Sequence, residues 1–87
     1  MKYAVETASR RVEQQIKRLP KEIYPRVKQA VISLEDVPRP PGAVKLKDDI
    51  YRIRIGDYRV IYFVDDSRRL AVVVKVARRS GTTYRGV

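Results

Sequence analysis

The sequence predicts an α+β fold in which two antiparallel helices in the amino-terminal half pack on a small, mostly antiparallel, twisted sheet. Apolar residues recur at helical spacing between residues 8 and 34, and at strand spacing between residues 44 and 77. A proline-rich segment, residues 37–42, separates the two halves. The length of 87 residues suits one compact domain spanning residues 1–87.

The amino-terminal half predicts the order strand, helix, helix. Residues 2–6 are apolar in their middle and predict a strand, and the apolar spacing over residues 8–19 predicts a helix. A second periodic stretch covers residues 23–34, but Pro25 inside a helix would clash with the preceding turn at a cost of about 3 kcal/mol. We therefore expect the second helix to begin near Tyr24 or to be kinked.

The carboxyl-terminal half predicts three strands, which completes the order β-α-α-β-β-β. They cover residues 44–47 running into 50–55, residues 58–64 and residues 70–77. Gly56 and Asp57 predict a two-residue hairpin turn, because such turns need a residue that tolerates positive φ. The last strand is apolar on both faces, so we expect it in the interior of the sheet.

The hairpin determines which side chains share a face. If Ile55 is opposite Tyr58, then Arg54 is opposite Arg59, and Arg52 lies on the same face as both. Like charges directly opposite each other destabilise a sheet. An anion bound between them would make the pair stabilising instead. The alternative is that the guanidinium groups extend into water or pair with acidic side chains.

Three tyrosines of the same hairpin fall on the other face. Tyr51, Tyr58 and Tyr62 alternate with the arginines and therefore face the helices. Aromatic residues among cations also suit stacking of nucleic-acid bases. We expect core packing with the hydroxyl groups at the rim, rather than a stacking platform.

The charge of the chain indicates an anionic partner. Twenty Lys and Arg residues outnumber ten Asp and Glu residues, which gives a formal net charge of +10. This charge attracts polyanions, and nucleic acid is the first such partner to consider. A solvated surface is the alternative, although such surfaces usually carry matched signs. The chain has no His and no Cys, so any catalysis must use Tyr, Lys, Arg, Asp or Glu, and we expect no metal and no cofactor.

The sequence also bears on location. No apolar segment approaches the roughly 20 residues that a membrane-spanning helix needs. The first five residues lack the apolar core of a signal peptide. We therefore expect a cytoplasmic protein with no membrane partner.

The chain resembles the RelE/ParE toxin superfamily, and the RelE branch most closely. The resemblance is carried by residues 38–42, 45–47, 51–62 and 76–79 and by Tyr84, and its most specific part is the hairpin Tyr-Arg-Ile-Arg-Ile-Gly-Asp-Tyr-Arg-Val-Ile-Tyr. It implies a RelE-like fold and a toxin of a type II toxin–antitoxin system that cleaves A-site mRNA codons on the ribosome without a metal. The implied partners are the ribosome, mRNA and a wrapping RelB-like antitoxin, with a toxin–antitoxin heterotetramer as one form of the complex.

The resemblance also implies roles for single residues. Arg59 and Arg79 match the family's catalytic arginines, and Arg52 and Arg54 match positions where relatives often carry lysines that hold the phosphate backbone. Tyr84 matches the catalytic tyrosine, whose phenol is a base only where cations lower its pKa; the alternative is a tail residue stacked on the surface. Further candidate RNA contacts are Lys45, Lys47, Lys75, Arg78 and Arg85.

Two other functions fit the same resemblance. One is a ParE-like inhibitor that binds a topoisomerase such as gyrase and cuts no RNA. The other is a relic that binds RNA or an antitoxin without chemistry. A fold does not decide among functions, so both stay open at this point.

Overall fold

The structure, a computed structural model, describes residues 2–78. Its elements, in chain order, are β1 (Ala4–Thr7), α1 (Arg10–Lys17), α2 (Tyr24–Ser33), β2 (Val44–Lys47), β3 (Ile50–Ile55), β4 (Tyr58–Asp65) and β5 (Leu70–Arg78). The five strands form one sheet in the order β1-β5-β4-β3-β2, in which only the β1–β5 pair is parallel. The predicted α+β fold is confirmed, and β5 lies inside the sheet as expected.

The start of α2 confirms one of the two alternatives that Pro25 left open. The helix begins at Tyr24, which puts Pro25 in its first turn. A proline there loses no intrahelical hydrogen bond, because the first amide groups of a helix have no partner in any case. The helix therefore avoids the steric cost of an internal proline and buries Val27.

One strand prediction is wrong in a detail. Residues 44–55 form two antiparallel strands, β2 and β3, rather than one continuous strand, so the order is β-α-α-β-β-β-β. The chain reverses at Asp48, whose φ is +42°. Aspartate tolerates this left-handed region better than most residues, and the reversal pairs Lys47 with Ile50.

The hydrophobic core lies between the two helices and one face of the sheet. Its buried members are Val12, Val27, Leu34, Ile55, Val60, Tyr62, Val64, Ala71, Val73 and Val76. A fully buried Val, Leu or Ile side chain contributes roughly 1.5–3 kcal/mol through loss of apolar surface from water. Both helices contribute to this one core, so the residues 2–78 leave the other face of the sheet without a helix.

Tyrosines hold the proline-rich connection between the halves. The buried Tyr62 hydroxyl donates a 2.7 Å hydrogen bond to the Pro38 carbonyl, and burial raises the pKa of Tyr62 to about 12. Tyr51 stacks on Tyr62 with ring centroids 5.8 Å apart. Arg39 donates from Nε to the Tyr51 hydroxyl at 2.8 Å and from both terminal nitrogens to Asp66. The expected packing of Tyr51 and Tyr62 on the helix side is confirmed.

Candidate nucleic-acid interface

The turn between β3 and β4 sets the register of the site. Ile55 pairs with Tyr58, so Gly56 and Asp57 form the two-residue turn that the sequence predicts. Gly56 has a φ of +58°, whereas Asp57 does not have a positive φ, as in a type II′ turn with glycine first. A Cβ atom at Gly56 would lie 3.3 Å from Ile23 Cδ1, so the turn also packs closely against the start of α2.

The predicted pairing of two arginines is confirmed. Arg54 and Arg59 are direct cross-strand partners, and Arg52, two residues from Arg54, shares their face of the sheet. Directly opposite residues have Cβ atoms about 5 Å apart, so the two positive side chains start close together. Arg54 is exposed, and Arg52 and Arg59 are half-buried.

A β-bulge brings a fourth cation to this face. Tyr62 pairs with Val73 but Ile61 pairs with Lys75, which leaves Val74 as an extra residue in β5. Without the extra residue Lys75 would oppose Val60, on the buried face; with it, Lys75 lies beside Ile61 in the same cross-strand row as Arg52. We call the side of the sheet that carries Arg52, Arg54, Arg59 and Lys75 the arginine face.

The bulge has a side-chain support from α1. The backbone N–H of Val76 donates a 2.9 Å hydrogen bond to Gln15 Oε1. Val76 is only 4% exposed, so this amide would otherwise be a buried donor without a partner. Gln15 therefore stabilises the strand segment that positions Lys75.

Arg52 carries an unsatisfied donor on this face. Its Nε is buried, yet no residue within 2–78 accepts a hydrogen bond from it. A buried donor without an acceptor costs about 1–3 kcal/mol, and more when the group is charged. Because this nitrogen has no contact with solvent, a phosphate at the arginine face would bond to it only after the Arg52 side chain changes rotamer.

Acidic partners do not neutralise Arg52 or Arg54 within the described part of the chain. The ion pairs between described side chains join Arg39 to Asp66 at 2.8 Å and Arg68 to Asp65 at 3.8 Å, so neither involves Arg52 or Arg54. Within residues 2–78, no three acidic side chains lie close enough together to form a metal site. The charges of Arg52 and Arg54 are therefore available to an anion.

Apolar side chains lie next to the cations on the arginine face, which was not predicted from the sequence. Ile61 lies between Arg52 and Lys75, and the next row contains Ile50, Phe63 and Val72. The alternation of side chains along a strand would have predicted them, since residues 59, 61 and 63 must share a face. The face therefore offers half-buried apolar side chains beside its cations.

Two of the predicted RNA contacts lie on the other side of the sheet. Lys45 pairs with Tyr51, and Arg78 pairs with Tyr58, both in rows that face the helices. Lys47 pairs with Ile50 and lies at the β2 edge on the arginine-face side. The predicted residues Arg79, Tyr84 and Arg85 lie outside the described residues, so their roles stay predictions.

No helix within residues 2–78 is long and apolar enough to cross a membrane.

Comparison with known proteins reveals the family. A family model described as the ParE toxin of type II toxin-antitoxin systems, parDE, matches residues 7–82. A candidate toxin named RelE1 from Methanocaldococcus jannaschii is 34% identical over 86 residues, which cover 93% of this chain and 94% of that protein. The sequence match alone therefore extends over nearly the whole of both chains.

Solved structures show the same architecture. RelE in the archaeal RelE–RelB complex from Pyrococcus horikoshii superposes with a TM-score of 0.79 and 31% identity, covering 93% of this chain and 99% of that one. The isolated Escherichia coli RelE toxin superposes with a TM-score of 0.76 at 20% identity, covering 97% and 94%, and supports the fold. The chain therefore belongs to the RelE/ParE superfamily of toxins from type II toxin–antitoxin systems, with a RelE-like fold.

Proposed function

We propose that the protein is a ribosome-dependent, metal-independent endoribonuclease that cleaves mRNA codons in the ribosomal A site. The observation that carries the proposal is the direct pairing of Arg54 with Arg59 on a sheet face that also holds Arg52 and Lys75. Basic side chains gathered on one face favour the binding of a polyanion such as RNA. The proposed setting is the cytoplasm, where translating ribosomes and mRNA are found.

The reaction is an attack of a ribose 2′-hydroxyl on the adjacent phosphorus. The bond between O2′ and phosphorus forms, and the bond between phosphorus and O5′ of the next nucleotide breaks. The 2′-hydroxyl proton goes to a base, and the departing O5′ takes up a proton. The products are a 2′,3′-cyclic phosphate and a 5′-hydroxyl end, and the protein must stabilise the extra negative charge of the crowded phosphorane.

Arginine suits this stabilising role. A guanidinium group stays charged and donates two parallel hydrogen bonds to phosphate oxygens, so Arg59 and Arg54 would hold the scissile phosphate from adjacent strands. Arg52 lies on the same face, two residues from Arg54, and would bind the neighbouring phosphate. Tyr84 as the base and Arg79 as a second catalytic arginine are proposed from the family motif alone.

An antitoxin is the proposed regulatory partner. The Pyrococcus horikoshii relative was solved as a RelE–RelB complex, and a net charge of +10 favours an acidic segment that folds on binding. We propose a RelB-like antitoxin that wraps the toxin, and a heterotetramer as its complex. A neighbouring reading frame that rescues growth on co-expression would identify it.

The test is a cleavage assay in a translating extract. Primer extension should reveal mRNA cut within A-site codons in the presence of the protein, and intact mRNA when ribosomes are omitted. Arg79→Ala and Tyr84→Phe should each slow cutting by about a hundredfold or more. Cutting at the wild-type rate by both variants would remove these two residues from the mechanism.

A second candidate function is inhibition of a type II topoisomerase. One observation favours it, since the family model that matches residues 7–82 is described as the ParE toxin. A supercoiling assay with purified gyrase separates the two functions. Inhibition at stoichiometric protein, together with intact mRNA in the translating extract, would replace the endoribonuclease proposal. Salt-dependent RNA binding without either activity would identify a binding-only protein.

A further inference from the structure

The carboxyl-terminal half of β5 has a strand neighbour on one side only. β1 pairs with β5 as far as the Thr7–Val73 row, and the Ala8 amide then donates a 2.8 Å hydrogen bond to the Val73 carbonyl. The chain next enters α1 at Arg10. Beyond Val73, β5 therefore keeps β4 on one side and has no strand of residues 2–78 on the other.

A side chain of α1 supplies a hydrogen bond that β1 no longer can. Gln15 Oε1 accepts a 2.9 Å hydrogen bond from the Val76 amide, across 61 residues of sequence. The side-chain amide of glutamine has the same carbonyl acceptor as a peptide group, so it can continue a ladder of hydrogen bonds where the neighbouring strand ends. Val76 is 4% exposed, so water does not offer an equivalent acceptor.

The bonded amide lies directly after the residue that the bulge redirects. Val74 is the extra residue of β5, so Lys75 lies on the arginine face beside Ile61, while Val76 turns into the core. A bulge disrupts the ladder locally and leaves its strand less constrained than a regular pairing does. The hydrogen bond to Gln15 is thus a contact that can fix the segment carrying Lys75.

Lys75 has few other contacts that would hold it in place. Its side chain is exposed, and neither ion pair between described side chains includes it. A lysine on a mobile segment loses both backbone and side-chain freedom when it binds a phosphate. A segment that is already ordered in the free protein reduces this loss and so favours binding.

We propose that Gln15 is a positioning residue of the arginine face, which orders the bulged segment of β5 so that Lys75 is held ready for an RNA phosphate. The choice of RNA as the ligand rests on the proposed function, whereas the role of Gln15 does not require that the RNA is cut. Linkage makes the coupling reciprocal. Because Gln15 assists binding at the arginine face, a bound RNA strengthens the hydrogen bond between Gln15 and Val76.

The experiment measures binding of a short single-stranded RNA to the full chain by fluorescence anisotropy over a range of salt concentrations. The RNA carries 2′-O-methyl groups, which block the attacking hydroxyl and prevent cleavage. Gln15→Ala is compared with Gln14→Ala, a change at the exposed neighbour in α1 with the same effect on helix propensity. Lys75→Ala is compared with Lys2→Ala, which removes the same charge just before β1. Circular dichroism establishes that all variants are folded.

The proposal predicts about fivefold weaker binding of the RNA by Gln15→Ala than by Gln14→Ala. A purely structural role would lower stability and leave the RNA affinity of the folded chain unchanged. Lys75→Ala should reduce the slope of log K against log[salt] by about 0.7 in magnitude, since one phosphate contact is lost. The double variant Gln15→Ala/Lys75→Ala should bind as Lys75→Ala does, because Gln15 acts through Lys75.

Two further measurements test the hydrogen bond itself. Gln15→Glu should bind RNA as Gln14→Glu does, since a carboxylate accepts the same hydrogen bond and both variants make the same change in charge. RNA should slow hydrogen exchange at the Val76 amide in the wild type, and to a smaller extent in Gln15→Ala. Equal RNA affinity of Gln15→Ala and Gln14→Ala would overturn the proposal. A further loss of affinity when Gln15→Ala is added to Lys75→Ala would also overturn it, since the glutamine would then act on another part of the surface.

The outcomes separate this inference from the proposed function. If mRNA is cut, Gln15→Ala should raise KM for ribosome-bound mRNA about fivefold and leave kcat within about twofold, because a contact to a backbone phosphate is made equally in the ground state and the transition state. If no mRNA is cut but RNA binding still couples Gln15 to Lys75, the proposed function fails and this inference stands. If mRNA is cut and the coupling is absent, this inference alone fails.

Discussion

Replacement of Gln15 by alanine tests the contact that connects α1 to the bulged segment of β5. The variant removes the acceptor of a 2.9 Å hydrogen bond from the Val76 amide. Val76 is 4% exposed, so the amide stays out of water without a partner. A buried donor in this state costs about 1–3 kcal/mol. For a domain of this size, a loss of about 2 kcal/mol lowers Tm by roughly 8–16 °C.

The assay is denaturant unfolding followed by circular dichroism, with Gln14→Ala as the control. Gln14 is the exposed neighbour in the same helix, so both variants gain the same helix propensity and only one loses the hydrogen bond. Gln15→Glu should restore most of the stability at neutral pH, because a carboxylate also accepts from an amide. Hydrogen exchange at the Val76 amide should speed up in Gln15→Ala alone. A free energy of unfolding within about 0.5 kcal/mol of the Gln14→Ala value would refute the reasoning.

Two further predictions concern pH. The hydrogen bonds of Arg39 and Tyr3 hold the pKa of Asp66 below its usual range in the folded state, so their stabilising effect is present above about pH 4 and is lost as pH falls through the folded pKa. Asp66→Asn should therefore be less stable than wild type at pH 7, and the difference should shrink by pH 3 in urea unfolding; a constant difference would contradict the ion pair. Tyr62, with a pKa of about 12, should be among the last tyrosines to ionise in an ultraviolet titration, and its stabilising effect should disappear as pH rises from 10 through 12. Tyr62→Phe should remove the ionisation step at the highest pH from the titration curve. If that step persists, another tyrosine is responsible for it.

Local chemistry explains which features were predictable from the sequence. A two-residue turn with glycine permits one pairing of the flanking strands, so the Arg54–Arg59 pair follows from Gly56 and strand alternation alone. The start of α2 also follows from local sterics, because the first turn is the helical position that accepts Pro25. The features that were predicted correctly depend on interactions between residues that are close in sequence.

The position of Lys75 shows why the rest was not predictable. An extra residue in β5 changes the face on which Lys75 lies. The strand that contains this bulge pairs with β4, and its Val76 amide donates a hydrogen bond to Gln15, about 60 residues away in sequence. The division between β2 and β3 has a similar origin, since Asp48 can be extended or left-handed and only the β2–β3 pairing selects the reversal. Features that depend on tertiary contacts leave no periodic signal in a single sequence.

The arginine face should couple anion binding to stability. Arg54 and Arg59 are directly opposite each other on the sheet, and like charges in this arrangement favour a bound anion. An anion that binds the folded chain there stabilises it by linkage. Inorganic phosphate or a short RNA should therefore raise Tm, and the increase should diminish at high salt.

The most direct test of the arginine face as the cutting site is the rate of ribosome-dependent mRNA cleavage by Arg59→Ala, beside Arg68→Ala as a matched control. Arg68 is 78% exposed and lies in the turn between β4 and β5, far from the Gly56 hairpin. Removal of one group that stabilises a developing charge slows a reaction by about 100- to 1,000-fold. We expect that loss in Arg59→Ala and a rate near wild type in Arg68→Ala. Equal, unimpaired rates in both variants would contradict the assignment of the chemistry to this face.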